Sequence, residues 1–231
     1  MLETISLIHN SPEWLAFRRT GIGGSDAAAI LGKSHFKTNV DIWEEKVGLK
    51  QAEDISKKEY VVYGKKAEDS LVKLFEIDFP QYKVKINKRI VYKRDFMFAS
   101  LDGELTDKKT KAEGFLETKT NELFNNYDFK NWDGQIPEHY YIQVLHYFIV
   151  TGREFAVVKV RIRHKDKYGE AMATEKHFTY YRKDILADLK FLYLKEYEFW
   201  HKYVLPKKRP PLILPSFTKN LVFPAPTSTT N

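Results

Sequence analysis

Apolar residues repeat at helical spacing in the first third of the chain and at strand spacing after it. Ser11-Pro12-Glu13-Trp14 places a proline just after a capping serine and predicts a helix through Arg18 and Arg19. Gly21-Ile22-Gly23-Gly24-Ser25-Asp26 reads as a glycine-rich turn that runs into a short helix over 27–31, stopped by Gly32. Residues 39–47 predict a helix with Gly48 as its stop, and the polar stretch 51–59 reads as a loop or a helix entry. Ala67, Leu71, Leu74, Phe75 and Phe79 share one helical face over 63–79. Val84, Ile86 and Ile90 then mark a strand over 82–92. Two more strands, 96–105 and 115–119, flank a polar hairpin loop at 106–114. A helix over 137–150 ends at Gly152, a strand pair (154–163 and 174–182) follows, and 183–204 is a long aromatic helix. The order predicts an α/β protein of mixed α+β character, a central mixed sheet flanked by helices. Residues 1–205 form one expected domain, and 206–231 an extended or disordered tail.

Composition narrows the function classes. The chain has 231 residues, room for one substantial core. Its formal charge of +7 raises the odds of a polyanionic partner. The absence of cysteine excludes disulfides, thiolate zinc sites, iron–sulfur clusters and cysteine nucleophiles. No apolar run predicts a membrane span, and the N-terminus lacks signal-peptide features, so a cytoplasmic protein is expected.

The candidate chemistry lies in Ser100-Leu101-Asp102-Gly103 and Phe115-Leu116-Glu117-Thr118-Lys119. Residues i and i+2 of a strand share a face, so Glu117 and Lys119 project together while Thr118 points away. The hairpin brings Asp102 beside Glu117 from the partner strand. Two hard oxygen ligands suit Mg²⁺, with Mn²⁺ as a substitute. Lys119 is placed to orient an attacking water and to offset charge growing on a phosphate. Taken alone, the E-x-K spacing is more often an exposed cross-strand ion pair than a nuclease site. Glu104 is a rival ligand, and Glu113 reads as a solvated loop residue.

Motifs in a fixed order add to this spacing. Trp14-Leu15-Ala16-Phe17-Arg18-Arg19, then Gly21 to Asp26, Tyr63-Gly64-Lys65-Lys66-Ala67-Glu68, Leu101-Asp102-Gly103, Glu117-Thr118-Lys119 and Tyr141-Ile142-Gln143 follow one another. Over residues 11–160 this resembles the phage-type alkaline exonuclease family, the lambda exonuclease or YqaJ-like viral recombinase family of the PD-(D/E)xK nuclease superfamily. The resemblance implies a Mg²⁺-dependent 5′–3′ exonuclease that acts on linear double-stranded DNA. It also implies a homotrimer ring, and a single-strand annealing protein as recombination partner in a bacterial host. Asp102 and Glu117 become metal ligands with the Thr118 backbone carbonyl, and Lys119 the water-orienting base. Glu68 and Gln143 match further site residues, and Arg18 and Ser25 match residues that bind the substrate 5′-phosphate. Leu101 departs from the proline frequent at that position.

Physical chemistry agrees with the last two assignments. Arginine recognises phosphate bidentately, Gly23 and Gly24 permit close backbone approach, and a helix start favours anions. Each residue also has a plainer reading: Ser25 as an N-cap, Arg18 as a surface residue beside Trp14, Glu68 as a solvated helix face, Gln143 as a satisfied helix polar group. His146 reads as a helix residue, and Phe191, Tyr193, Tyr197, Phe199 and Trp200 as core or oligomer contacts. Lys207-Lys208-Arg209 reads as a solvated run. Two other functions stay open: an endonuclease, structure-specific or of restriction type, on the same core, and a non-catalytic module that binds DNA ends.

Overall fold

The computed structural model describes residues 1–8, 11–122, 132–166 and 168–214. The expected tail beyond residue 214 lies outside them. Among the described residues, the helices of the first third are α1 (Pro12–Arg18), α2 (Gly24–Ile30), α3 (Asn39–Val47) and α4 (Glu59–Asp78). The strands among the described residues are, in chain order, β1 (Leu2–Ser6), β2 (Ile22–Gly23), β3 (Tyr82–Lys85), β4 (Ile90–Arg94), β5 (Met97–Ala99), β6 (Gly103–Asp107), β7 (Glu113–Glu122), β8 (Phe155–Lys165) and β9 (Ala171–Tyr181). Helix α5 (Glu138–Thr151) joins β7 to β8, and α6 (Leu186–Phe199) closes the described core with a wider π turn at Trp200–Val204.

The mixed α/β class holds, with the strands divided between two mixed sheets. One has the order β1-β4-β5-β2 and the other β3-β6-β7-β8-β9. The expected strand over 82–92 is therefore two strands in different sheets. Asn87 causes the break: its side chain accepts from the Arg89 amide and its carbonyl from Ile90, a local turn that competes with the ladder. The expected strand over 96–105 is also divided. The chain leaves β5 after Ala99 and starts β6 at Gly103, so Asp102 stands at the crossing between sheets.

The larger sheet has a helix on each face. Val72 and Phe75 of α4 bury Leu105, Leu116, Phe155 and Val157. The opposite face, with Phe115, Ala156, Val158 and Val160, joins the main core of α2, α5 and α6. This alternation decides which β7 residues can meet which helix. Beyond α6, Pro210 is buried, and Asn39 holds the chain by donating to the Pro211 carbonyl (2.8 Å) and accepting from the Ile213 amide (2.9 Å).

Candidate active site

A cleft of 680 Å³ opens where α1, α2, α4, β5, β7 and α5 converge. Asp102, Glu117, Thr118, Lys119, Glu68, Gln143, Arg18 and Ser25 all line it. These include every residue that the resemblance assigns to the site; the rival ligand Glu104 is not among them.

The acidic half is built on the end of a ladder. Pairing of β6 with β7 stops at Gly103 and Leu116. The Thr118 amide therefore lacks a strand partner on that side, and the Asp102 carboxylate takes it at 2.7 Å, with the Thr118 hydroxyl at 2.9 Å. Asp102 thus meets Glu117 from a bend and not from a paired strand. Leu101 is buried in the main core and anchors that bend. Glu117 is only 2% exposed. Its Oε1 accepts from Lys119 Nζ (2.5 Å) and Gln143 Nε2 (2.9 Å), and Gln143 also donates to the Tyr147 hydroxyl. The other oxygen, Oε2, is buried with no hydrogen-bond partner. Burial, then repulsion from Asp102, pushes the Glu117 carboxyl up to about 8. Burial disfavours the Lys119 ammonium, but Glu117 and Asp102 outweigh it and raise its pKa. The Tyr140 ring lies 5.1 Å from that ammonium. Burial and Asp102 also raise Glu68, although Lys88 approaches it at 3.1 Å.

The donor chemistry fits a hard divalent cation. A buried carboxylate oxygen without a partner is costly, and three mutually repelling acids lack enough positive charge. Asp102 and Glu117 would hold the ion.

The basic half begins at α1, which Ser11 caps by accepting from the Trp14 amide. Arg18, in its last turn, lies 5.0 Å over the Trp14 ring and donates to Ser25 Oγ (3.2 Å) and Asp26 Oδ1 (3.0 Å). Ser25 is not the cap of α2. The cap is Gly23, whose amide is taken by Asp26. Ser25 is the sole exposed residue between Gly21 and Ile30, so its hydroxyl faces the cleft. The glycines also differ from expectation. A Cβ at Gly23 would strike the Phe98 ring and one at Gly24 the Tyr147 ring, so both admit protein packing.

Several residues settle elsewhere. Glu104 is held by Arg153 (2.7 Å) and Lys85 (3.5 Å) and does not line the cleft. Glu113 is exposed. His146 is fully buried, with Nδ1 at 2.9 Å from Glu196 and Nε2 at 3.0 Å from the Phe98 carbonyl. Those two acceptors require both ring nitrogens to donate, and Glu196 raises the imidazole pKa against its burial. Phe199 and Trp200 are buried, whereas Phe191 and Tyr197 are exposed. Lys207 to Arg209 are exposed.

Sequence reasoning missed Asp26, Lys46, Lys88 and Tyr140. Asp26 carried a signal, since an acid three residues past a turn glycine fits a capping box. Lys46 carried none, because a lysine on an amphipathic helix reads as solvated.

The YqaJ-like viral recombinase domain matches residues 13–154. The chain belongs to this family. Protein YqaJ of Bacillus subtilis (strain 168) is 34% identical over 206 residues, covering 87% of this chain; the chain spans 58% of that protein's length. The fold is that of the alkaline exonuclease LHK-Exo from Laribacter hongkongensis, with a TM-score of 0.53 at 15% identity, covering 86% of this chain and 97% of that one. A phage related exonuclease from Haemophilus somnus 129PT aligns with a TM-score of 0.48 and 11% identity over 81% of this chain and 96% of that one. Family and fold agree with the order of motifs along the chain. No described helix is long and apolar enough to cross a membrane.

Proposed function

We propose that this protein is a Mg²⁺-dependent deoxyribonuclease that degrades the 5′-ended strand of linear duplex DNA and leaves 3′ single-stranded tails for phage recombination. One observation carries the reading: a buried, unpartnered Glu117 oxygen beside Asp102, in one cleft with Lys119, Arg18 and Ser25. Bound Mg²⁺, with Mn²⁺ as a substitute, supplies a Lewis acid and an acidified water. Asp102, Glu117 and the Thr118 backbone carbonyl would hold it. Lys119, whose ammonium Glu117 keeps charged, orients the attacking water and offsets charge on the scissile phosphate. Gln143 fixes the Glu117 rotamer through Oε1, which leaves Oε2 for the ion. Glu68 adds negative charge near the metal.

Arg18 and Ser25 bind the terminal 5′-phosphate and set the cutting register. This half of the site turns a nuclease into an exonuclease. A homotrimer ring around DNA, a single-strand annealing partner and action in the cytoplasm of a bacterial host complete the reading, with residues 1–205 as one nuclease domain. An end-labelled linear duplex and a covalently closed circle, each incubated with Mg²⁺, test it. The linear strand should shorten from its 5′ end while the circle survives. Loss of the circle makes the enzyme an endonuclease, and survival of both makes it a binding module.

A further inference from the structure

Arg18 reaches the cleft already engaged. Its Nη2 donates to Asp26 Oδ1 at 3.0 Å, and Asp26 is only 2% exposed. A guanidinium paired with one buried carboxylate is close to a neutral dipole. An approaching phosphate would meet the arginine with an anion directly behind it, and the two effects would largely cancel.

The structure adds a second cation. Lys46, on α3, has a side chain 3% exposed and donates to Asp26 Oδ2 at 2.7 Å. The same ammonium donates to the Arg18 carbonyl at 2.8 Å and stands 5.8 Å from the Phe98 ring. Asp26 also accepts the Gly23 amide at 3.0 Å. Both its oxygens are thus filled. Glu45, the residue before Lys46 on α3, also favours the Lys46 charge, and its own charge is paired by Lys37 at 2.6 Å. One carboxylate therefore lies between two cations, and the cluster has a surplus charge of one. Arg18 lines the cleft; Asp26 and Lys46 do not. Lys46 can act on a substrate only through Arg18.

Burying an ammonium is expensive, and a neutral side chain of similar length would fill the space without that cost. Burial lowers the Lys46 pKa below its usual value, and attraction to Asp26 opposes that shift and favours the charged form.

We infer that Lys46 is a positioning residue for the 5′-phosphate site: its buried charge offsets Asp26, so that Arg18 keeps a full positive charge for a terminal phosphate monoester. Asp26 fixes the direction of the guanidinium, and Lys46 prevents that restraint from neutralising it. A monoester bears up to two negative charges, so it gains most from the surplus, and a 5′-hydroxyl end gains least. The inference rests on the reading of Arg18 as the phosphate contact, and the experiment separates the two.

The test measures binding of 5′-phosphorylated and 5′-hydroxyl duplexes of one sequence by fluorescence anisotropy in EDTA, and takes the ratio of affinities. Wild type should prefer the phosphorylated end. Arg18→Ala should bring the ratio to about one; if it does not, the phosphate reading of Arg18 fails. Lys46→Met should lower the ratio about tenfold while circular dichroism stays native. A Lys46→Met protein that keeps the wild-type ratio while Arg18→Ala loses it overturns the inference and leaves Lys46 a packing residue. The double variant Asp26→Asn with Lys46→Met restores the surplus charge and keeps an acceptor for Arg18. It should recover the ratio to within about threefold of wild type. If Lys46→Met alone does not fold, the double variant decides: a retained preference supports the charge account, and a ratio near one contradicts it.

Discussion

Two clusters on opposite faces of the larger sheet bring carboxylates to a lysine, and they differ in what they leave unpaired. Facing α5, Glu117 and Asp102 lie near Lys119, and one Glu117 oxygen is buried without a partner. Facing α4, the fully buried Lys159 donates to Asp78 (2.9 Å) and lies 3.2 Å from Glu175. Asp78, Glu175 and His177 offer ligand atoms within 4.8 Å of one another, so proximity alone would nominate them for a metal. Lys159, together with Arg161 at 2.9 Å from Glu175, already supplies their positive charge. His177 keeps an unpaired Nε2, but burial and the Lys159 ammonium hold its pKa down and its ring neutral. In the first cluster the lysine leaves an acid short of charge; in the second Lys159 and Arg161 together balance the acids. Residue type does not separate a reactive site from a structural one here. A buried carboxylate left short of positive charge does, since the unpaired atom of the second cluster belongs to a neutral ring.

The largest expected effect breaks the first cluster alone. Lys119→Ala or Asp102→Ala should cut digestion of a linear duplex by about a thousandfold or more, with end binding retained. Lys159→Met should leave the initial rate within about threefold. Normal cleavage in either of the first two variants would remove the site from consideration. The second cluster should answer in stability. Lys159→Ala leaves a void and uncompensated acids and should lower the unfolding free energy by about 3 kcal/mol in a urea titration. An unchanged midpoint would show that the pair contributes nothing.

Glu117→Gln tests that carboxylate itself. The folded carboxyl titrates at about 8, above its usual 4.5, so the folded state binds the extra proton in that window. This group therefore costs metal-free protein stability as pH rises from 4.5 through 8. Glu117→Gln should remove that slope and raise metal-free stability at pH 8 by roughly 1–3 kcal/mol, while abolishing cleavage. A variant less stable than wild type at pH 8 would contradict the account. The smallest effect belongs to the basic half: Arg18→Ala should slow digestion of 5′-phosphorylated ends about tenfold and barely change 5′-hydroxyl ends. Equal losses on both would deny it a phosphate-specific role.

The sequence made local structure legible and long-range structure less so. The α1 start, α3 with its Gly48 stop and the end of α5 at Gly152 match, because caps and left-handed glycines act within a few residues. The strand β1 went unseen. Its residues are mostly exposed, and it exists through its pairing with β4, some ninety residues away. The split into two sheets was hidden for a similar reason, since Asn87 and the bend at Asp102 redirect strands whose apolar alternation continues. In the site, Glu117 and Lys119 were legible from strand periodicity, Asp102 was expected on the paired strand and stands in the bend before it, and Arg18, Ser25, Glu68 and Gln143 rested on the ordered motifs. The supporting pair Asp26 and Lys46 was not legible, because it joins α2 to α3 through buried charge and no sequence spacing records that contact.

Manganese binding followed by electron paramagnetic resonance tests the central claim most directly. Wild type and Asp78→Ala should each bind Mn²⁺, and Asp102→Ala should lose it. Binding that survives Asp102→Ala and disappears in Asp78→Ala would place the ion in the other cluster and contradict the account.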